Sequence, residues 1–568
     1  MLARWAWRVM PPDSQASAAV AARCGIPAVA AQLLLHRGVS HPTAVARFFS
    51  PTLDAFSDPF ELPAMERAVS RLRRAAASRE TVVVFGDSDV DGITAATIVA
   101  ELLTTLGLKP LVRLSRRLAD GHGFPPSMVP SLARVGATLL ILVDCGTNQA
   151  NEIRELARRG IETIILDHHV PLDTMAAPWA LVNPHACEGS GGRDLCSAGL
   201  ALKLAQAVWR EPERVLPWLD LAALGTLADY APLVGDSRLI VSLGLPRILE
   251  TTRPGLAQLC EQMKVTAPTP EQILKRLVPC LNASGRLGHP RPVFELLTAR
   301  AAPRAAQWLE QVTEAHTHTK RLHRQILGEA YEQASRTNFA EQLVMVLGRR
   351  GWHPGLMGPI AAQMAERFAR PTIAIAVDGT VGVGSGRSIA AFNLFEALRG
   401  CDGLLMRYGG HAQACGLTIA SENIEPLRRD LNRHAATTLD RRQLVRTLPI
   451  DMEVSAAALT EEVASLMERF KPFGAGNPKP MFLLRQMRVE TRERGATWLT
   501  DGRQQLRVRG RVSAYDPAGR YDVVVTTTVD GEERCVSVCD AQLAAASAAP
   551  GWSGTRPMRR RDAQPAGL

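Results

Sequence analysis

Carboxylate and imidazole side chains recur in the first half of the chain, each time directly after an apolar run. The four segments that carry them are Phe85-Gly-Asp87-Ser-Asp89-Val-Asp91-Gly92, Val143-Asp144-Cys-Gly146, Leu166-Asp167-His168-His169 and Leu227-Ala-Asp229. Carboxylates and imidazoles delivered by successive strand ends are the ligands that a pair of divalent metal ions needs from a protein. The spacing therefore predicts metal-dependent hydrolysis of phosphoesters.

Each segment also has a purely structural interpretation. The three carboxylates of the first segment could cap the helix that follows, because aspartate favours helix N-termini. Asp144 alone could be a turn residue, and Asp229 alone could end a helix. Three carboxylates packed together repel one another unless a cation neutralises them, which favours metal binding. A calcium-binding EF-hand is excluded, because it needs a Glu at the twelfth position, where the chain has Ile98.

The elements that must position these segments alternate along the chain from residue 81. Apolar strands are predicted at residues 81–85, 111–114, 137–143 and 161–166, with helices between them. Repeated strand and helix units with continuously apolar strands predict a parallel, doubly wound sheet of the α/β class. Ligands bind at the carboxyl ends of the strands in such sheets, so the first three segments are expected to converge in space.

The rest of the chain predicts several further regions around this sheet. The predicted regions are N-terminal helices at 1–75, the sheet domain at 76–250, a helical connector at 251–335, a second αβ domain at 336–440, a small β-barrel at 446–545 and a disordered basic tail at 546–568. In the barrel, Arg507, Arg509 and Arg511 alternate along one strand. They could follow a nucleic-acid backbone, but a solvated edge strand explains them nearly as well.

Composition narrows the class of protein. With 568 residues the chain is too long for one hydrophobic core, and 66 Lys and Arg against 56 Asp and Glu give a net charge of +10. The charge favours a polyanionic partner, although another arginine-rich protein would look similar. No signal peptide or membrane span is apparent, and the ten cysteines form no C-x-x-C pair, so we expect a cytoplasmic protein with reduced thiols.

In order and spacing, the four segments resemble the motifs of the DHH phosphoesterase superfamily and, within it, of the RecJ single-strand-specific exonucleases. The further segments that carry the resemblance are Val182-Asn-Pro184, Leu195-Cys-Ser-Ala-Gly199, Asn282-Ala-Ser-Gly-Arg-Leu-Gly288, Trp352-His-Pro-Gly355, Gly384-Ser-Gly-Arg-Ser388, Phe392-Asn-Leu-Phe-Glu396, Gly409-Gly-His411 and Lys471-Pro-Phe-Gly-Ala-Gly-Asn-Pro478. It implies that the second αβ domain is a DHHA1 domain and that the barrel is an OB-fold. It extends to about residue 545.

The resemblance implies a catalytic centre with two ions of Mn²⁺ or Mg²⁺. Asp89 and Asp91 would each hold one ion, Asp144 would bridge both, and His168 with Asp229 would complete the second site. The other residues with implied roles are Asp87 as a supplementary ligand, Asp167 as the carboxylate that orients a ligating histidine, and His169 as a contact to the scissile phosphate. Two such ions lower the pKa of a shared water, so no protein nucleophile is expected.

The same resemblance implies a binding site for the 5′-phosphate or the adjacent backbone. Its residues would be Arg117, Arg286, Ser385 and Arg387, together with Gly386 and Ser388 of the same segment. His411 is a further candidate, because the glycines beside it would allow close approach to a phosphate. From the residues alone, the segment at 384–387 could also be a tight turn with an exposed arginine. Arg286 could be half of a surface ion pair, and His411 could be a buried core imidazole.

The implied activity is 5′ to 3′ digestion of single-stranded DNA to nucleoside 5′-monophosphates, in DNA repair and recombination. A monomer is expected, with single-stranded-DNA-binding protein and a helicase as candidate partners. Two other hypotheses stay open: a relative that cleaves short RNA or cyclic dinucleotides, and an inactive nucleic-acid-binding scaffold. The chain departs from the family pattern at Ser88, where an aromatic residue is usual, and at Cys145, where Asn is usual. We expect activity to survive, although Cys145 could change the rate or make the site sensitive to oxidation.

Overall fold

The computed structural model describes residues 5–121, 123–172, 174–492, 496–509, 518–530 and 533–544. These residues form two compact units. The first contains most of the described chain up to Pro449 together with Arg469–Lys479, and the second contains Val9–Pro12, Ile450–Glu468 and the described residues from Pro480 onward. The predicted tail at 546–568 and Arg511 lie outside the described residues.

One strand and four helices precede the first sheet. They are β1 (Trp5–Val9), α1 (Ser14–Cys24), α2 (Ala28–His36), α3 (Pro42–Phe49) and α4 (Met65–Ala77). Asp13 caps α1 by accepting a hydrogen bond from the backbone N–H of Ala16, and Gly25 ends it in the left-handed conformation. Helix α4 packs beside the first sheet through Met65, Leu72 and neighbouring apolar residues.

The first sheet is built from alternating strands and helices. Its elements are β2 (Val82–Gly86), α5 (Val90–Thr105), β3 (Leu111–Leu114), α6 (Arg117–Asp120), α7 (Val129–Arg134), β4 (Leu139–Val143), α8 (Ala150–Arg158), β5 (Glu162–Leu166), β6 (Ala180–Val182), α9 (Ser197–Trp209), α10 (Leu219–Ala228) and α11 (Gly235–Leu249). The strand order is β3-β2-β4-β5-β6, and every pair is parallel. The predicted doubly wound parallel sheet is confirmed.

Both faces of this sheet are covered, as continuous apolar strands require. Ile141 of β4 packs in the cluster that contains α5, α9 and α10, whereas Leu140 and Leu142 pack in a second cluster with α7 and α8. Strands β2, β4 and β5 end in register at the same edge of the sheet, because Gly86 pairs with Val143 and Val143 pairs with Leu166. The chain order reverses between β2 and β4, which is where ligands bind in sheets of this kind.

Helices connect the first sheet to the second. They are α12 (Pro254–Gln262), α13 (Pro270–Gln272), a π-helical turn at Ile273–Leu277, α14 (Val278–Arg286), α15 (Arg291–Thr298) and the long α16 (Ala302–Ser335). Helix α16 contacts α14 and α15 near its start and α17 (Met357–Phe368) further along. The connector therefore belongs to the same compact unit as the sheet.

The second sheet is mixed. Its elements, besides α17, are β7 (Met345–Arg350), β8 (Thr372–Asp378), β9 (Val381–Arg387), α18 (Leu394–Arg399), β10 (Leu405–His411), β11 (Ala414–Ala420), α19 (Ile424–Thr438) and β12 (Arg446–Ile450), of which β12 pairs with β1 instead. The strand order is β10-β11-β9-β8-β7, with only β7 and β8 parallel. The Gly-rich run at 381–387 is thus a central strand.

The second unit closes into a barrel. It contains β13 (Met452–Glu453), α20 (Glu461–Glu468), β14 (Phe482–Thr491), β15 (Thr497–Thr500), β16 (Gln505–Val508), β17 (Tyr521–Asp530) and β18 (Glu533–Leu543). The order β14-β15-β16-β18-β17 is closed by pairing of β17 with β14, and β16 runs parallel to β18. A closed five-stranded barrel agrees with the predicted OB-fold.

Two sequence expectations concern the chain as a whole. No single helix among the described residues is both long and apolar enough to cross a membrane, and only the pair α1 and α2, bent by 113°, passes that test together. All ten cysteines lie in the described part of the chain, and none of them forms a disulfide.

Candidate active site

The first acidic segment links β2 to α5 in a tight turn. Asp89 is the N-cap of α5, and its side chain accepts a hydrogen bond from the backbone N–H of Gly92 at 3.1 Å. The capping interpretation is therefore correct for Asp89. A Cβ on Gly92 would lie 2.7 Å from the backbone N and O of Asp87, so glycine lets the turn close. The turn gathers Asp87, Asp89 and Asp91 at one strand end, and the Ser115 hydroxyl donates to Asp87.

The N-terminus of α9 binds two buried carboxylates. Asp91 accepts hydrogen bonds from the backbone N–H groups of Ser197 at 2.9 Å and Ala198 at 2.8 Å. The Ser197 hydroxyl donates to Oδ1 of Asp144 at 3.0 Å. Unpaired N–H groups and the positive end of the helix dipole stabilise carboxylates at this position. Sequence reasoning missed this role of Ser197, although the segment around it belongs to the motifs that carry the family resemblance.

His168 lies among three carboxylates. Its Nε2 is 3.3 Å from Oδ1 of Asp144 and 3.9 Å from Oδ2 of Asp91, and its Nδ1 is 3.8 Å from Oδ2 of Asp229. Asp144 follows β4 with a φ of 62°, a left-handed conformation that aspartate tolerates better than most residues. Asp229 ends α10, so the expectation that a strand delivers it is wrong; the helix-end interpretation is correct, yet its carboxylate still lies beside His168.

Three overlapping groups of donor atoms, each within 4.8 Å of one another, could hold metal ions. The groups are Asp87 with Asp89 and Asp144; Asp91 with His168 and Asp229; and Asp144 with His168 and His169. Asp144 belongs to two of the groups and joins them. Carboxylate oxygens with one or two imidazole nitrogens suit Mn²⁺ or Mg²⁺, so the donor chemistry fits the predicted ions.

The charges of this cluster are unfavourable in the protein alone. Burial and the charges of Asp87 and Asp91 raise the pKa of Asp89, and burial with the charges of Asp89 and Asp91 raises the pKa of Asp144 well above its ordinary value. Burial and the charge of Asp91 raise the pKa of Asp229 to about 7. Burial lowers the pKa of His168, but the hydrogen bond to Asp144 and the surrounding carboxylates outweigh it and raise that pKa. Such a cluster requires cations to stay ionised at neutral pH.

Asp167 orients one histidine of the donor cluster. Its Oδ1 lies 2.7 Å from Nδ1 of His169 and accepts from the backbone N–H groups of His168 and His169, and its Oδ2 accepts from the N–H of Thr147 at 3.1 Å. Although burial opposes ionisation, the bond to His169 holds the pKa of Asp167 well below its ordinary value. The ring that Asp167 positions is therefore that of His169, which is half exposed and belongs to one of the three donor groups. Its role as the carboxylate that orients a ligating histidine stays a prediction.

Three arginines predicted to bind phosphate influence one another. Burial and the charge of Arg117 lower the pKa of Arg286, with Asp89 acting in the opposite direction. Burial and Arg117 also lower the pKa of Arg387. Arg117, Arg286 and Arg387 are called the arginine cluster below. Among the described residues Arg286 has no ion-pair partner in contact, although Asp89 lies within electrostatic range; its predicted phosphate-binding role stays a prediction. Neighbouring guanidinium groups fit a phosphate between them.

The end of α14 carries Arg286 to the acidic turn. The side chain of Asn282 accepts a hydrogen bond from the backbone N–H of Val90 at 3.1 Å. A Cβ on Gly285 would lie 2.3 Å from the backbone O of Ser88, so glycine permits this approach. Residues of the Asn282–Gly288 segment therefore dock directly on the metal-ligand turn.

The Gly-rich segment contributes a strand, so the tight-turn interpretation is wrong. Arg387 donates from Nη1 to the hydroxyl of Ser385 at 3.1 Å and to the backbone O of Gly386 at 2.8 Å. A Cβ on Gly386 would lie 2.5 Å from Leu394, which explains that glycine by packing. The Ser388 hydroxyl donates to the backbone O of Phe392 at 2.7 Å, a structural contact.

His411 lies at the exposed end of β10, so the core-imidazole interpretation is wrong. It pairs with Ala414, which pairs with Arg387 on the next strand, and paired residues of antiparallel strands share a face. Gly409 and Gly416 pair beside them, and a Cβ on either would meet no atom within 4 Å. This face offers an open strip between His411 and Arg387 along which a polymer backbone could approach.

The two departures from the family pattern are buried. Ser88 is 3% exposed and Cys145 is 6% exposed. Burial and the charges of Asp167, Asp87 and Asp144 raise the pKa of the Cys145 thiol well above its ordinary value. In the metal-free protein this thiol therefore resists ionisation, and the expected effects of Cys145 on rate and on oxidation stay predictions.

Family models match this chain in three places: the DHH family N-terminal domain over residues 81–226, the DHHA1 domain over residues 340–437 and the RecJ OB domain over residues 450–497. The single-stranded-DNA-specific exonuclease RecJ of Dickeya dadantii is 31% identical over 484 residues, which cover 80% of this chain and 83% of that protein. The chain belongs to the RecJ family. The predicted DHH, DHHA1 and OB domains are thereby confirmed; their boundaries stay predictions.

Two further RecJ proteins define the extent of the match. RecJ of Bacillus subtilis is 32% identical over 492 residues, which cover 85% of this chain but 62% of that protein, so the chain spans less than two thirds of this relative. The crystal structure of RecJ from Thermus thermophilus in complex with Mn²⁺ aligns with a TM-score of 0.80 at 27% identity. That alignment covers 96% of this chain and 80% of the Thermus chain. The shared RecJ fold thus includes residues of both units.

Proposed function

We propose that this RecJ-family chain is a metal-dependent exonuclease that digests single-stranded DNA from its 5′ end and releases nucleoside 5′-monophosphates. The observation that carries the proposal is the set of three overlapping donor groups, linked through Asp144 and His168, with Arg286 of the arginine cluster within electrostatic range of Asp89. One half of this site suits divalent cations, and the other half suits the phosphates of a nucleic acid. Their juxtaposition supports phosphodiester hydrolysis.

Two ions of Mn²⁺ or Mg²⁺ are the proposed cofactors. Asp87, Asp89 and Asp144 would hold the first, and Asp91, His168 and Asp229 the second. The sharing of Asp144 by both ions is taken from the family resemblance. The sequence-based assignment makes Asp87 a supplementary ligand, whereas here Asp87 is a full member of the first group. Bound there, the ions supply Lewis acidity towards water and towards the phosphoryl oxygens. The Mn²⁺ complex of the Thermus RecJ supports the choice of ion.

The remaining residues bind and orient the substrate. Arg286 and Arg117 would form paired hydrogen bonds with phosphate oxygens, which places the strand beside the acidic turn. Asp167 fixes the His169 ring through Nδ1, so Nε2 is the nitrogen that would donate to an oxygen of the scissile phosphate. The hydrogen bond to Asp167 raises the pKa of His169, which favours the protonated ring that such donation requires.

The 5′ polarity is proposed from the family and from the face of the second sheet. Ser385 and Arg387 lie on the same face as His411, and Arg387 is within electrostatic range of Arg117. A terminal phosphate bound by Ser385 and Arg387 would direct the adjoining phosphodiester towards the metal ligands. A role in DNA repair and recombination, a cytoplasmic monomer and partners such as single-stranded-DNA-binding protein or a helicase stay predictions from the family.

Two other functions are less well supported. A relative that cleaves short RNA or cyclic dinucleotides would need little beyond the two αβ domains, whereas this chain adds N-terminal helices and a barrel. An inactive nucleic-acid-binding scaffold would gain nothing from carboxylates concentrated against a phosphate backbone. The experiment that tests the proposed function also tests both of these hypotheses.

The test uses one single-stranded oligonucleotide labelled at either end, with Mn²⁺ present, and compares it with a dinucleotide. We expect labelled mononucleotide to appear at once from the 5′-labelled strand, while the 3′-labelled strand shortens gradually. Asp144→Asn should abolish digestion, because it removes the shared carboxylate but tolerates the left-handed backbone. Asp430→Asn, on the exposed side of α19, is the matched control and should digest normally. Digestion by Asp144→Asn, or cleavage restricted to the dinucleotide, would refute the proposal.

A further inference from the structure

Tyr230 is the only exposed aromatic side chain among the described residues. Its side chain is 67% exposed, whereas every other described Phe, Tyr or Trp is buried or half-buried. It directly follows Asp229, whose carboxylate lies 3.8 Å from Nδ1 of His168. Its ring forgoes the hydrophobic free energy that burial would give.

The backbone at Tyr230 is also unfavourable for a tyrosine. Its φ is 56°, and its N–H donates to the backbone O of Leu227 as the chain leaves α10. Helices commonly end with glycine in this left-handed conformation, because a Cβ is disfavoured there. The chain therefore places a tyrosine at a backbone conformation that favours glycine.

The position of the ring is fixed by its neighbours. Ala231 donates to the backbone O of Thr226, and Leu233 donates to the backbone O of Ala475 at 2.7 Å. The side chains of Ala231 and Leu233 are both buried. The segment after α10 is thus anchored, and Tyr230 projects from a rigid support at the rim of the acidic cluster.

The surroundings of the ring include the phosphate-binding residues. Tyr230 is close enough to Arg286 to oppose the lowering of the pKa of that guanidinium. Within the described ranges, the side chain makes no hydrogen bond, ring stacking contact or cation–π contact. The ring is therefore exposed next to a candidate metal-ligand residue and within electrostatic range of an arginine, and among the described residues neither of its faces is covered by another ring or a cation.

We propose that Tyr230 is a positioning residue whose ring stacks on a base of the strand bound at the metal centre. The inference rests on the proposed function and adds what that function lacks, a group that recognises a base rather than a phosphate. Stacking accepts every base, because each has a π face, so digestion stays independent of sequence. It also requires one face of the base to be uncovered, which an unstacked single strand provides.

The first test moves one abasic site through the first four positions of a single-stranded oligonucleotide. Single-turnover rates are measured for the full chain with Mn²⁺, with enzyme in excess of DNA but below saturation. We expect the wild type to slow at one position by between about fivefold and about 150-fold, the range that base–aromatic stacking provides. Tyr230→Leu should be slow by the same factor on intact DNA and should show no further loss at that position. Tyr230→Phe should recover the discrimination.

The second test measures the contact without catalysis. In the Asp144→Asn background, 2-aminopurine is placed at the position that the abasic series identifies, and its fluorescence is titrated with protein. Stacking on Tyr230 or on Phe at this position should quench the probe, whereas Tyr230→Leu should bind with little quenching. Val135→Ala, another exposed apolar residue but at the end of α7, is the control and should behave as its parent.

The outcomes separate this inference from the proposed function. An abasic penalty that is equal in the wild type and in Tyr230→Leu, or quenching that survives Tyr230→Leu, would overturn the stacking role while exonuclease activity stands. If neither the wild type nor Tyr230→Phe digests DNA, the proposed function itself fails. The variant Tyr230→Gly is the control for misfolding, because glycine favours this backbone conformation. Its Tm should be no lower than that of the wild type, and it should still lose the base discrimination.

Discussion

Replacing Ser197 with alanine should weaken metal binding without unfolding the protein. The Ser197 hydroxyl donates to Oδ1 of Asp144, the carboxylate shared by two donor groups. Alanine removes only this hydroxyl, and the backbone N–H groups of Ser197 and Ala198 still bind Asp91. The variant therefore isolates one hydrogen bond to the central ligand.

The expected magnitude follows from the charge of the acceptor. A hydrogen bond to a charged group contributes about 1.5–3 kcal/mol, and each 1.4 kcal/mol is about tenfold in an equilibrium constant. Loss of a partner that orients a metal ligand typically costs about 10- to 100-fold in metal affinity. The two estimates agree, so Ser197→Ala should raise the Mn²⁺ concentration that gives half-maximal activity by about 10- to 100-fold.

The assay is a Mn²⁺ titration of the initial rate on single-stranded DNA, with metal affinity measured in parallel by calorimetry. Saturating Mn²⁺ should restore most of kcat, because the ligands themselves are intact. Ser335→Ala on the exposed side of α16 is the matched control and should leave the titration unchanged. An unchanged half-saturating concentration, or activity that high Mn²⁺ cannot restore, would refute the idea that Ser197 acts by orienting Asp144.

Three further predictions follow from other contacts. In the metal-free folded protein the pKa of Asp229 is raised to about 7, whereas in the unfolded chain it is about 4. The stability that protonated Asp229 contributes is therefore complete below about pH 4 and is lost as pH rises through about 7. The Tm in EDTA should therefore fall between about pH 5 and about pH 8, and saturating Mn²⁺ should remove this fall; a flat profile in EDTA would contradict it. Gly92→Ala forces a Cβ against the backbone of Asp87, and we expect it to lower the free energy of unfolding in urea by about 1–3 kcal/mol. The control is Gly328→Ala, whose Cβ would meet no atom within 4 Å and which should be neutral or stabilising. Lys203→Met breaks the buried pair with Asp236 at 2.9 Å and should cost about 3 kcal/mol in the free energy of unfolding, measured by the same method; a cost below about 1 kcal/mol would show that other contacts neutralise Asp236.

The fold was largely predictable because its signals are local. Continuously apolar strands such as that at residues 139–143 indicate burial on both faces, and this alone predicts a parallel sheet with helices on each side. Because parallel strands end at the same edge, the convergence of Asp87, Asp144 and His168 followed as well. The closed barrel was harder to predict, because β16 and β18 pair across a long stretch of chain.

Two details of the site depend on local geometry that the sequence pattern does not report. Asp229 was expected at a strand end, but an apolar run of ten residues without clear periodicity fits a buried helix equally well, and α10 is such a helix. The sequence indicates that Asp167 orients a histidine but not which one; the backbone at the strand end turns the His168 ring towards Asp144 and leaves His169 beside Asp167. Single-residue rotations of this kind have no sequence signature.

The sequence by itself determined the chemistry of the site: which side chains are carboxylates, imidazoles and guanidinium groups, and that the first sheet would bring many of them to one edge. Only the tertiary structure decided their pairing. The approach of the α9 N-terminus to Asp91 and the docking of Gly285 on Ser88 depend on packing between segments far apart in the chain. Such contacts are set by the shapes of whole elements, whereas periodicity and motif spacing report only on neighbours along the chain.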